Sequence, residues 1–134
     1  MVQALGRQIL AEFYGCNPDI LDDTELIKRI LRNAALKSNA TIVNSTFHHF
    51  SPYGVSGIVV IAESHISIHT WPEYGYAAVD IFTCGDSIDP WVAFKYLERE
   101  LGAESSSAME LRRGIFDLER ELVHKPETRT ASAR

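Results

Sequence analysis

The chain has 134 residues, 46 % hydrophobic and 23 % charged, which excludes a disordered or collagen-like polypeptide. The length suits one domain with a modest core, which dimerisation would strengthen. The net charge of −5 speaks against non-specific nucleic-acid binding, which needs a basic face, and suits a cationic small ligand.

Arg7 and Glu12 interrupt any apolar stretch near the start, so no signal peptide is expected. The longest apolar run, Ile58–Ala62, falls far short of the roughly 20 residues of a membrane span. The expected compartment is the cytoplasm. Two cysteines, Cys16 and Cys84, are too few for a disulfide scaffold and are expected to be reduced. Asn39-Ala40-Thr41 and Asn44-Ser45-Thr46 fit the glycosylation pattern, but without secretion they read as chance matches.

Leu5–Tyr14 reads as a first strand, broken by Gly15 to Pro18. Asp22 or Asp23 caps a helix running to about Ser38, with Leu26, Ile27, Ile30, Leu31 and Ala34 as its buried stripe. Thr41–Phe50, rich in β-branched and aromatic residues, is a second strand, and Ser51-Pro52-Tyr53-Gly54 a turn. Val55–Glu63 is a third strand whose apolar run predicts burial on both faces. Ile66–Trp71 is a fourth, Pro72-Glu73-Tyr74-Gly75 a turn, and Tyr76–Cys84 a fifth.

Asp89-Pro90 opens a second helix, with Trp91, Phe94, Leu97 and Leu101 on one face and Gly102 at its end. Ser105–Leu111 is a weak strand. Ile115–Val123 reads as a short amphipathic helix, with Ile115, Leu118 and Leu122 on one side. Residues 1–124 are expected to form one domain and 125–134 a polar tail. The order predicts an α+β fold, with helices on one face of a mainly antiparallel sheet.

The unusual stretch is 62–85. It gathers Ser64, His65, Ser67, His69, Glu73, Asp80 and Cys84 into one predicted hairpin. Alternation puts His65, Ser67, His69 and Trp71 on one face and Ile66 and Ile68 on the other. Three chemistries compete for these residues. His65, His69 and Cys84, with His48 or His49, are zinc-ligand types, but no compact ligand spacing is present. A Ser-His-Asp hydrolase would need a Gly-x-Ser-x-Gly elbow, which is absent.

The third is self-processing. Ser64 attacks the carbonyl of Glu63, the amide becomes an ester, and a base removes the serine α-proton so that the ester leaves. The new N-terminus then hydrolyses to a pyruvoyl group. That carbonyl forms a Schiff base with an amine and acts as an electron sink. Ser64, His69 and Cys84 are its candidates, though spacing alone does not select this option. With a turn centred on Glu73 and Tyr74, Cys84 lies across from Ser64 or Glu63. His69 is five residues from Ser64, roughly 16 Å along a strand and on the other face. Either the strand is distorted, or a second copy of the chain supplies the base across a twofold interface.

The stretches Leu5-Gly6-Arg7, Ala11-Glu12-Phe13-Tyr14-Gly15-Cys16, Ala40-Thr41-Ile42-Val43, Ser45-Thr46-Phe47-His48 with Phe50, and Pro52-Tyr53-Gly54-Val55-Ser56-Gly57 carry a family likeness. So, most specifically, do Glu63-Ser64-His65, the run from Ile68-His69-Thr70-Trp71 to Ala77-Ala78, Asp80, and Phe82-Thr83-Cys84-Gly85. The chain resembles the short prokaryotic S-adenosylmethionine decarboxylase proenzymes, pyruvoyl-dependent enzymes of polyamine synthesis. The likeness spans residues 5 to about 101 and is weak beyond, apart from Arg113-Gly114.

The resemblance implies autocatalytic cleavage between Glu63 and Ser64, giving chains 1–63 and 64–134. It implies decarboxylation of S-adenosylmethionine to the aminopropyl donor for spermidine synthesis, with no metal or external cofactor. Ser64 would be the pyruvoyl precursor and His69 the proton acceptor in processing, with Ser56 supporting that step. Cys84 would be the proton donor in decarboxylation, Phe50 an aromatic that stacks on adenine, and Glu73 a carboxylate for the ribose hydroxyls. Two processed two-layer protomers would pair into an αββα homodimer with the sites at the interface. Ser56, His69 and Glu73 would then serve the other subunit's pyruvoyl. His48, His49, His65, Cys16, Trp71 and Trp91 are left to structure. The alternatives are a pyruvoyl-dependent arginine or ornithine decarboxylase, and an unprocessed homologue acting as a partner.

Overall fold

The structure, a computed structural model, describes residues 2–125. Strand β1 (Val2–Tyr14) leads through a four-residue helix, α1 (Pro18–Leu21), into α2 (Thr24–Lys37). Strands β2 (Ile42–His49), β3 (Val55–Ile61), β4 (Ser64–Trp71) and β5 (Tyr76–Cys84) follow, then helix α3 (Pro90–Glu100) and strand β6 (Ser105–Asp117). The strands form one sheet in the order β2-β3-β4-β5-β1-β6, with every pairing antiparallel. Helices α2 and α3 pack together against this sheet, which is the predicted α+β architecture.

The helix starts follow the sequence closely. Asp23 caps α2, its carboxylate accepting the Leu26 N–H at 3.1 Å. Asp89 caps α3, accepting the Trp91 N–H at 3.0 Å, with Pro90 at the first helical position. Such caps contribute about 1 kcal/mol each. Ile27, Ile30, Leu31, Ala34 and Ala35 of α2 and Ala93, Phe94 and Leu97 of α3 are buried. They face Ile9, Phe13, Val59, Ile66, Ile68 and Ile81 of the sheet in one core. Phe13 and Phe94 stack with centroids 5.3 Å apart.

Several expectations are corrected. Strand β1 begins at Val2, three residues early, because β6 offers it a long partner edge. The predicted helix 115–123 does not form. Ile115–Asp117 finish β6, where Ile115 pairs with Ala4 and Asp117 with Val2, so the ladder outcompetes a helix whose apolar face has nothing to cover. Residues 118–125 instead cross the sheet end as a strap. Gln3 holds it at two points, donating from Nε2 to Arg120 O at 2.9 Å and accepting the Leu122 N–H at 2.8 Å. Strand β3 is buried on one face rather than two. Val55, Val59 and Ile61 point to the helices, while Val60 on the other face is exposed. Helix α1 was not foreseen in the 15–18 break. Asn17 caps it, accepting the Asp19 N–H at 2.9 Å. Of the polar tail expected over 125–134, only Lys125 lies within the described residues. Among the described residues no helix is long and apolar enough to cross a membrane.

Candidate active site

Two residues, Ala62 and Glu63, connect β3 to β4, since Ile61 already pairs with Ser64. The sequence reading instead placed the break at 64–65. Burial of Val59 and Ile61 opposite Ile66 and Ser64 sets this register, because a one-residue slip would turn the apolar set to the other face. Thr41 holds the turn: Ala62 N–H donates to its carbonyl at 2.8 Å, and its own N–H donates to Glu63 Oε1 at 3.2 Å.

Ser64 opens β4 with φ of +144°, a conformation that L side chains rarely adopt. Such a backbone stores about 1–3 kcal/mol of strain. The Glu63 carbonyl accepts the Cys84 N–H at 2.9 Å. Cys84 Sγ lies 3.3 Å from Ser64 Oγ, and Cys84 is only 6 % exposed. A carbonyl polarised by a backbone N–H therefore precedes a strained serine whose hydroxyl touches a buried thiol. The hairpin arithmetic left Cys84 opposite Ser64 or Glu63. The ladder pairs Thr83 with Ser64 and sets Cys84 one step on, against Glu63.

The uncovered face of the sheet carries a second pair. Ser56 and His69 are cross-strand neighbours, and Ser56 Oγ and His69 Nδ1 share a hydrogen bond of 2.7 Å. They line a hollow of about 330 Å³ with Thr46, His48, Ile58 and Ser67. Ile66 and Ile68 are buried towards the helices, as alternation requires. His69 stays five residues, roughly 16 Å, from Ser64 along the same strand. One chain thus holds Ser64 with Cys84, and Ser56 with His69, as two separate pairs.

Phe50 follows β2 and is 46 % exposed, with its ring edge-on to His48 at 4.5 Å. Its loop is pinned from α1. Asp22 Oδ1 takes the Gly54 N–H and His49 Nε2, each at 2.9 Å, and Phe50 N–H donates to Gly54 O at 2.7 Å. These bonds, the Gly54 one first, hold the Asp22 carboxyl below its usual range. Glu73 is exposed on a 3₁₀ turn, Pro72–Tyr74, closed by Gly75 at φ +59°.

The other candidates have local partners. His65 Nε2 meets Asp80 Oδ2 at 3.0 Å, and Asp80 Oδ1 accepts from Gln8 Nε2 at 2.6 Å. Gln8 Oε1 in turn accepts from Arg113 Nη1 at 2.9 Å. Cys16 is buried, which pushes its thiol up to about 11, and it packs in the core. Trp91 Nε1–H donates to Glu110 Oε1 at 2.8 Å, and Trp71 lies against Tyr76 with centroids 5.3 Å apart. Among the described residues no three His, Cys, Asp or Glu side chains come together as a metal cage. The sequence reading passed over Thr83. It is 2 % exposed, and its hydroxyl is the one fully buried side-chain polar atom without a hydrogen-bond partner among the described residues. A threonine in a strand is so ordinary that no pattern could have marked it.

A family model described as S-adenosylmethionine decarboxylase matches residues 7–114. The S-adenosylmethionine decarboxylase proenzyme of Thermosipho melanesiensis is 58 % identical over 116 residues, 87 % of this chain and 89 % of that protein. The proenzymes of the same name from Thermotoga maritima and Clostridium tetani are 55 % and 58 % identical, over 87 % and 84 % of this chain and 89 % and 90 % of theirs. The crystal structure of the adenosylmethionine decarboxylase from Aquifex aeolicus superposes with a TM-score of 0.83 at 39 % identity. That match covers 90 % of this chain and 99 % of the other.

Proposed function

The chain belongs to the S-adenosylmethionine decarboxylase family, and we propose that it cleaves itself between Glu63 and Ser64 and decarboxylates S-adenosylmethionine with the pyruvoyl group so formed. The observation that carries this reading is the junction itself: strained Ser64, the polarised Glu63 carbonyl, and Cys84 Sγ at 3.3 Å. Ser64 Oγ adds to the Glu63 carbonyl carbon, and the C–N bond breaks to leave an ester and a free amine. His69 removes the Ser64 α-proton, and Glu63 departs as a carboxylate. Hydrolysis of the resulting enamine consumes water and releases ammonia.

The residues fit the group, since its precursor and a proton donor are already in contact. The pyruvoyl carbonyl supplies an electrophile for the substrate amine and a sink for the electrons left when CO₂ departs. Cys84 Sγ delivers a proton to the substrate α-carbon, and its burial keeps bulk water from competing. Phe50 offers an exposed ring to the adenine, and Glu73 a carboxylate to the ribose hydroxyls. The acidic chain favours the cationic sulfonium. The product is the aminopropyl donor for spermidine synthesis. The relatives do not favour the arginine or ornithine alternatives, or a non-catalytic partner.

The site requires a second copy. His69 and Ser56 are roughly 16 Å along the sheet from their own Ser64. The face that bears them also exposes Leu10, Val60, Trp71, Met109 and Leu111, an apolar surface suited to a sheet-on-sheet homodimer. Each protomer then lends His69, Ser56 and Glu73 to its partner. The cytoplasm remains the expected compartment.

A denaturing intact-mass spectrum tests the self-cleavage. Fragments 1–63 and 64–134 are expected, with the second lighter by one ammonia than plain hydrolysis would leave. A chain still whole after long incubation would refute the reading. Co-expression tests the shared site. His69→Ala alone should remain uncut, whereas co-expression with Ser64→Ala should restore cleavage of the His69→Ala chain. No restoration would place the base within the same chain.

A further inference from the structure

The buried hydroxyl of Thr83 has no hydrogen-bond partner among the described residues, an arrangement that folded proteins rarely keep without a use for it. Thr83 sits directly opposite Ser64 across the β4–β5 ladder. Its side chain belongs to the helix-facing set of β5 with Ala77, Val79 and Ile81, all buried, so water does not satisfy it from the surface. The next backbone N–H along the chain, that of Cys84, already donates to the Glu63 carbonyl at 2.9 Å. The peptide to be cut therefore has one donor in place and an idle donor on the adjoining residue.

Self-cleavage begins when Ser64 Oγ bonds to the Glu63 carbonyl carbon. The hydroxyl proton passes to a base, and the C=O electron pair moves onto the oxygen. That oxygen is then an oxyanion, until the pair returns, the C–N bond breaks and the nitrogen takes a proton. An oxyanion in a dry site draws its stabilisation from donors fixed beforehand. We propose that the Thr83 hydroxyl is a second oxyanion donor supplied by the cleaved chain itself, acting on the Glu63 oxygen together with the Cys84 N–H and beside the Ser56 lent by the partner protomer. The inference rests on the reading of Glu63–Ser64 as the cleaved bond. In the resting chain the Thr83 hydroxyl does not bond the Glu63 oxygen, and the bond forms as that oxygen leaves the peptide plane in the tetrahedral adduct. Its burial without a partner costs the uncleaved fold stability, as functional groups often do.

Thr83→Val keeps the shape and removes the donor. Followed by intact mass, its cleavage should slow on the order of 10²-fold, the usual loss for one oxyanion donor. Thr83→Ser, which keeps a hydroxyl, should cleave within about threefold of wild type. In the uncleavable Ser64→Ala background, Thr83→Val should melt at the same temperature or higher, because an unpaired buried hydroxyl is gone. Slow cleavage with undiminished stability is an outcome that a packing role does not produce. Wild-type cleavage by Thr83→Val overturns the inference. So does Thr83→Ser as slow as Thr83→Val, or a slowing accompanied by a fall in melting temperature. Thr83→Ala, which cannot clash, serves if the valine variant does not fold, and its cleavage at the wild-type rate is equally decisive. An uncut wild-type chain removes the cleavage reading and this inference together. A cut wild type with an equally fast Thr83→Val removes only the inference.

Discussion

Ser64→Ala should yield one uncleaved chain with no measurable decarboxylation, a loss of at least about 10³-fold, because orientation alone cannot replace the missing electron sink. Two requirements of the proposed mechanism fail at once. The Glu63 carbonyl loses its neighbouring nucleophile, and position 64 can no longer become a ketone. The fold should persist, since Ser64 is half-buried at a strand start and its side-chain hydrogen bond among the described residues is to Cys84. The variant should therefore elute like wild type and melt cooperatively. Ser64→Gly makes a sharper control. Glycine accepts φ of +144° without strain, so this variant should be uncut yet more stable than Ser64→Ala. Cleavage after residue 63 in either variant would mean that Ser64 is not the nucleophile.

Cys84→Ala should separate the two reactions that share the site. The N–H that polarises the Glu63 carbonyl belongs to the backbone and survives the substitution, so the chain should still cut itself. The thiol proposed to protonate the substrate carbon is lost. Turnover should fall about 10²- to 10⁴-fold, the usual range for a positioned acid. Measured by CO₂ release from fully cleaved protein, unchanged turnover would remove Cys84 from the proton-donor role. Loss of cleavage with retained turnover in the fraction that does cut would move its role to processing.

Much of this architecture was legible beforehand, for identifiable reasons. Helices α2 and α3 announced themselves through a capping aspartate followed by apolar residues at helical spacing, both local features. The β4–β5 register followed from one turn and the period of two. What was missed depended on partners distant in sequence. The 115–123 segment has a helical pattern, yet β1, more than a hundred residues away, claimed its first part as a strand. The apolar run Ile58–Ala62 within the predicted strand Val55–Glu63 suggested burial on both faces, but only the side covered by helices is buried within the protomer.

The site divides the same way. The sequence by itself determined which groups are available: a serine after a glutamate, a cysteine at matching hairpin register, and a histidine on the alternate face. It also narrowed His69 to two options, a distorted strand or a base from a second copy, because strand geometry sets the rise per residue. Only the tertiary structure decided the rest. It gave Ser64 a strained backbone, placed the Cys84 N–H on the Glu63 carbonyl, pinned the Phe50 loop through Asp22, and left the Thr83 hydroxyl buried and unpaired. The two hydrogen bonds join residues far apart in the chain, and they, the strain and the unpaired hydroxyl all depend on the packing of the whole sheet. Side-chain identity is written locally, whereas dihedral strain and hydrogen-bond satisfaction exist only once the fold has closed around them.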